Sequence, residues 1–151
     1  MNLIIGYGNP LRTDDAIGQR IARMMESRLK YEAVQVITTY QLTPELVEPI
    51  HNAQLVIFID ARVGATPGKI VWENLEPHPG TGAFTHNVSP GALLDAAHEL
   101  YGMKPAGILI SITGADFEYG HDISPELKRM LPNIGDQIEN IIQTNLILQL
   151  I

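Results

Sequence analysis

The chain alternates between short unbroken apolar runs and longer stretches in which apolar residues recur every three or four positions. The first pattern reads as strands buried on both faces, the second as amphipathic helices. Residues 2–6 form the first run and break at Gly6. From Asp15 to about Lys30, Ile17, Ile21, Met24, Met25 and Leu29 keep helical spacing, with Gln19, Arg20, Arg23, Glu26 and Lys30 on the opposite, polar face. Thr13 or Asp14 is placed to cap this helix, with Asp14 as a solvent-facing or capping partner of Asp15.

Val34–Thr39 is β-branched and reads as a second strand. Thr43-Pro44-Glu45 starts a second helix, which Pro49 limits. Leu55–Ala61 is the clearest buried strand, with apolar residues running into Asp60. Lys69–Glu73 reads as a short edge strand or hairpin arm, with Trp72 as a packing residue, and residues 76–87 as an irregular loop rich in Pro and Gly. Ser89-Pro90 opens a helix through Leu93, Leu94, Ala97 and Leu100, and Gly107–Ile112 is a further strand. Ser124-Pro125-Glu126 caps the last helical region, whose register persists from Leu127 to Leu146 across Pro132 and Gly135, as one kinked helix or two abutting ones. The apolar end, Leu146–Ile151, is expected to pack on the core.

The order βαβαβ, a small hairpin, then αβα predicts a three-layer α/β/α domain with a mostly parallel twisted sheet and a small hairpin or edge strand. The 151 residues suit one domain spanning 1–151, without linker, repeat or low-complexity tract.

Composition narrows the function. A formal charge of −7 opposes a nucleic-acid backbone as main partner. The absence of cysteine excludes a thiol nucleophile, disulfides and thiolate metal sites. No basic leader and no apolar stretch of about 20 residues is present, so a cytoplasmic chain without membrane partner is expected.

The first eighteen residues pose the chemical question. Gly6 and Gly8 begin a dinucleotide fingerprint, but its third glycine is replaced by Leu11, Pro10 removes an N–H, and Asp14 and Asp15 occupy the helix start where a pyrophosphate would sit. In a parallel sheet the loops at the carboxyl ends of the strands share one rim. Asp15 after the first strand, Asp60 at the end of the third and His86 before the Ser89 helix would then converge, as a carboxylate–imidazole set suited to a metal with an open position. Each has a plain structural alternative: Asp15 complements the helix dipole, Asp60 satisfies loop N–H groups, and His86 is a solvated loop histidine. Asn9 can orient a substrate or hold its turn. His51, His98, His78 and His121 are weaker candidates, and the serine–proline pairs are explained as helix starts.

Gly6-x-Gly8-Asn9-x-Leu11-x-x-Asp14-Asp15-x-x-Gly18 resembles the N-terminal signature of the NiFe-hydrogenase maturation endopeptidases. The likeness continues through Gln41-Leu42-Thr43-Pro44-Glu45-Leu46, Phe58-Ile59-Asp60-Ala61, His86-x-x-Ser89-Pro90 and Ser124-Pro125-Glu126. It implies a phosphorylase/hydrolase-like α/β/α fold and a cytoplasmic, aspartyl-type endopeptidase that trims the C-terminal extension of a hydrogenase large-subunit precursor. Nickel already loaded in the substrate would be the recognition element, and Asp15, Asp60 and His86 match the metal-contacting positions, which would also be catalytic. Aspartate at 15 departs from the glutamate common in that family. The segment from Gln41 to Glu45 resembles the version in proteases serving bidirectional, NAD-linked hydrogenases, which makes Gln41 and Thr43, with Asn9, candidates for substrate binding. The metal, or a carboxylate as general base, would activate water against the peptide carbonyl, and a monomer is expected.

Two other readings stay open. Gly6-Tyr7-Gly8-Asn9-Pro10 also resembles the opening of peptidyl-tRNA hydrolase, although Asp14-Asp15-Ala16 stands where that family's histidine is expected. A non-catalytic chaperone holding a nickel-loaded client would need the same ligands.

Overall fold

The computed structural model describes residues 1–30, 32–76 and 88–151. The apolar runs form five strands: β1 (Asn2–Tyr7), β2 (Val34–Thr39), β3 (Leu55–Arg62), β4 (Ile70–Leu75) and β5 (Ala106–Thr113). They make one sheet of order β2-β1-β3-β5-β4. Pairings β1–β2, β1–β3 and β3–β5 are parallel, whereas β4 runs antiparallel against β5. The expected hairpin or edge strand is thus an edge strand whose partner is β5, not its sequence neighbour β3. Trp72 on it is 44% exposed, so it is no core residue.

The sheet is covered on both sides, which is why its central strands carry no polar alternation. On one face Ile4, Ile57, Ile59, Ile110 and Ile112 meet α1 (Ile17–Arg28) and α4 (Pro125–Leu148). On the other, Leu3, Ile5, Val56 and Phe58 meet α2 (Val47–His51) and α3 (Pro90–Tyr101). The three-layer α/β/α architecture is as the pattern predicted.

Local differences have identifiable causes. The chain enters α1 through a 3-10 turn, Thr13–Ala16, and neither Thr13 nor Asp14 caps the helix. The second helical segment is likewise split, into a 3-10 turn at Pro44–Leu46 and the short α2. Ser89 and Ser124 do cap α3 and α4, accepting from the Ala92 and Leu127 N–H groups. α4 runs as one helix of 24 residues. Pro132 lies on its exposed side, and Gly135 faces Met24 of α1, whose side chain a Cβ there would have to displace. Of the apolar end only Leu146 joins the core; Ile147, Leu148, Leu150 and Ile151 are exposed. The expectation that the whole segment packs inward therefore fails beyond Leu146.

Candidate active site

The strand order creates the site. From β1 the chain goes outward to β2, and from β2 it returns across to β3, so the connections after β1 and β3 diverge. Such a switch point leaves a crevice outside the carboxyl ends of the two strands. Asp15 approaches it from the β1 side and Asp60 stands at its β3 side, near the end of that strand.

The β1 loop is held by close packing as much as by hydrogen bonds. A Cβ on Gly18 would lie 2.5 Å from the Ile59 carbonyl oxygen and 2.6 Å from that of Tyr7, so glycine lets the first turn of α1 seat across the ends of β1 and β3. Gly8 has φ 147°, and a side chain there would strike the Asp15 carbonyl. The Asn9 N–H then donates to Asp15 Oδ2 at 2.7 Å. Asn9 Oδ1 accepts from the Leu11 N–H at 2.9 Å, an Asx turn that leaves its Nδ2 without a hydrogen bond among the described residues.

Asp60 is partly buried, and its Oδ1 accepts from the Ala61 N–H at 2.7 Å. The Tyr7 hydroxyl faces it from β1 and donates to it. Burial raises the Asp60 carboxyl from 3.8 to about 6; hydrogen bonds from Tyr7 and Ala61 pull it down, and the nearby Asp15 charge adds to the rise. Burial, then the two carboxylates, push the Tyr7 hydroxyl far above the ordinary tyrosine range, so it remains a donor at any working pH. Tyr7 and Asp60 thus share a hydrogen bond, and the Asp15 charge acts on both.

His86, the third member of the expected set, lies outside the described residues, as does His78. Among the described residues no group of three His, Cys, Asp or Glu side chains is arranged to hold a metal ion. Gln41 and Thr43 follow β2 on the same rim. Gln41 is exposed, its carbonyl accepting from Thr39 Oγ1, and the Thr43 hydroxyl bonds the Glu45 carboxylate. Nothing in the described contacts joins them directly to Asp15 or Asp60.

Several supporting residues were not anticipated. Gln19, expected on the polar face, is buried; its Nε2 donates to the carbonyls of Gly8 at 2.8 Å and Thr39 at 2.9 Å. It thereby ties the ends of β1 and β2, and its Oε1 accepts from Arg23. Asp14, expected at the surface, is fully buried. It accepts from the N–H groups of Ala115, Asp116 and Ser124 and from the Ser124 hydroxyl, at 2.7–3.0 Å. Four donors replace the water that this carboxylate gives up, so it can be buried without an ion pair among the described residues. Adjacent carboxylates therefore divide the work: Asp14 locks the β5–α4 loop to the turn before α1, and Asp15 faces the crevice. Thr13, just before them, takes φ 49°, a backbone conformation rare for a β-branched residue.

No family model and no curated protein matches the sequence. Solved structures do. The hydrogenase maturating endopeptidase HybD from E. coli superposes with a TM-score of 0.69 at 22% identity, covering 95% of this chain and 93% of that one. The hydrogenase maturation protease HycI from Thermococcus kodakarensis gives 0.71 at 22% identity, covering 94% and 92%. A hydrogenase 2 maturation peptidase from a Thaumarchaeota archaeon gives 0.67 at 21% identity, covering 94% and 97%. The fold is that of the hydrogenase maturation proteases. It extends over nearly the whole of each chain. Among the described residues no helix is long and apolar enough to cross a membrane.

Proposed function

We propose that this chain is an endopeptidase that removes the C-terminal extension of a nickel-loaded NiFe-hydrogenase large-subunit precursor. The observation that carries the reading is a partly buried Asp60 within the field of the Asp15 charge, at the switch point of a fold shared with solved maturation proteases. Nickel enters as part of the substrate. Asp15, Asp60 and His86 receive it, the last assigned from its place in the sequence pattern alone.

Before nickel arrives the Asp60 carboxyl titrates near 6 and is ionised at neutral pH, and it acts as general base through an oxygen that the metal does not hold. Water loses a proton to Asp60 and attacks the peptide carbonyl. The Asn9 amide steadies the oxyanion, and collapse breaks the C–N bond as the proton passes to the departing amine. Tyr7 holds Asp60 in place. Gln41 and Thr43, at the end of β2, face the client and contribute to its choice, which includes hydrogenases of the bidirectional, NAD-linked kind. The protein works as a monomer in the cytoplasm.

The test is processing of a nickel-loaded precursor beside a nickel-free one, followed by mass spectrometry. Loss of the C-terminal extension only with nickel supports the reading. Binding without mass loss would point to a chaperone. Retained processing after Ala replacement of Asp15, Asp60 and His86 together would overturn the site.

A further inference from the structure

We propose that the cavity beside the acidic crevice is a peptide subsite, in which Arg12 grips a carboxylate on the client segment being cut. The inference rests on the endopeptidase reading and adds where the peptide lies and what chemistry selects it. The cavity measures about 370 Å3 and is walled by Asn9, Leu11, Arg12, Glu118 and Tyr119. It adjoins Asp15 through Asn9, which lines the cavity and whose backbone N–H holds the Asp15 carboxylate.

Both walls are loops, yet they are fastened together. Arg12 and Gly120 form a parallel bridge, and the Gly120 N–H donates to the Leu11 carbonyl at 3.0 Å. The Thr13 hydroxyl donates to the Glu118 carbonyl at 2.6 Å, and the buried Asp14 fixes the same β5–α4 loop at Ala115, Asp116 and Ser124. Folding alone does not account for what this rigid frame displays. Tyr119 is 74% exposed and Leu11 41% exposed, and Arg12 makes no ion pair among the described residues, in a chain of net charge −7. A rigid, open, partly apolar cavity with one free guanidinium suits an extended peptide carrying a carboxylate. Glu118 on the other wall repels that carboxylate, which sets the direction in which the peptide lies.

The carboxylate is either an acidic side chain or the client's own C-terminus, and the experiment separates them. Steady-state processing of nickel-loaded precursor is measured for wild type, Arg12→Glu, Arg12→Lys and the remote surface control Lys104→Glu. Substrates are the native precursor, versions with acidic residues of the cleavage segment neutralised singly, and one with a Gly-Ser tail that moves the terminal carboxylate away. Arg12→Glu is expected to raise KM about tenfold, with a smaller effect on kcat, and Arg12→Lys to recover most of the loss. One altered precursor should erase the difference between wild type and Arg12→Glu, naming the carboxylate; the control should match wild type. A wild-type KM for Arg12→Glu, with wild-type enzyme active, would overturn the subsite while sparing the endopeptidase reading. A persistent difference on every altered precursor would do the same. Wild-type enzyme inactive on every precursor would remove the endopeptidase reading, and the subsite with it.

Discussion

Replacing Asp60 with asparagine should stabilise the folded protein at neutral pH while removing its activity. The folded state holds the Asp60 carboxyl at about 6 against an ordinary 3.8, so between those values the folded chain keeps a proton that the unfolded chain releases. Stability is therefore full below 3.8 and falls as pH rises through about 6, with the penalty constant above that. At ~1.4 kcal/mol per pH unit the interval corresponds to about 3 kcal/mol, and partial exposure reduces it to about 1–2 kcal/mol. Asparagine keeps the oxygen that accepts from the Ala61 N–H, and its amide can donate to the Tyr7 hydroxyl, so the geometry survives without the charge. Urea and thermal unfolding of both proteins at about pH 7.5 should favour the variant, by about 2–4 °C in Tm per kcal/mol. At about pH 4.5 the advantage should shrink to about a third, because the folded carboxyl is then largely neutral. An advantage of equal size at both pH values, or none at pH 7.5, would refute the assignment of desolvation as the cause.

The same carboxyl should give kcat/KM for precursor processing an acid limb near pH 6; a flat profile between about pH 5 and 7 would rule out Asp60 as the base. Asp14→Asn turns one acceptor of the four-donor cluster into a donor and strands a buried N–H, which should cost about 3 kcal/mol in urea unfolding. Gly18→Ala forces a methyl against the carbonyls of Ile59 and Tyr7 and should cost about 2–3 kcal/mol with parallel loss of processing; a neutral result would deny the tight crossing. Gln19→Leu leaves the Gly8 carbonyl without its side-chain donor and the Thr39 carbonyl with the Gly8 N–H alone, for a cost of about 1–3 kcal/mol and a faster hydrogen exchange at Gly8 and Asn9.

Much of this molecule was legible in order along the chain. Apolar runs such as Leu55–Ile59 have one stable home, a strand covered on both faces, and the helical spacing of Ile17, Ile21 and Met25 has another, so the layers follow from periodicity. The rim that brings Asp15 toward Asp60 also follows, since parallel strands put all their carboxyl ends on one side. The sequence singled out Asp15 for the rim, but the burial of its neighbour Asp14 was not legible. Asp14 and Asp15 are alike as residues, and only the donors of Ala115, Asp116 and Ser124, about a hundred positions away, draw Asp14 inward, while Asp15 is held by the Asn9 N–H in its own loop. Gln19 reads as a surface residue until Gly8 and Thr39 present two carbonyls to it, and the Asp60 carboxyl is ordinary until β1 brings Tyr7 against it. Periodicity reports which side of an element is buried, a property of near neighbours. Hydrogen-bond satisfaction and desolvation depend on groups brought together from distant parts of the chain, and these the tertiary structure alone decides.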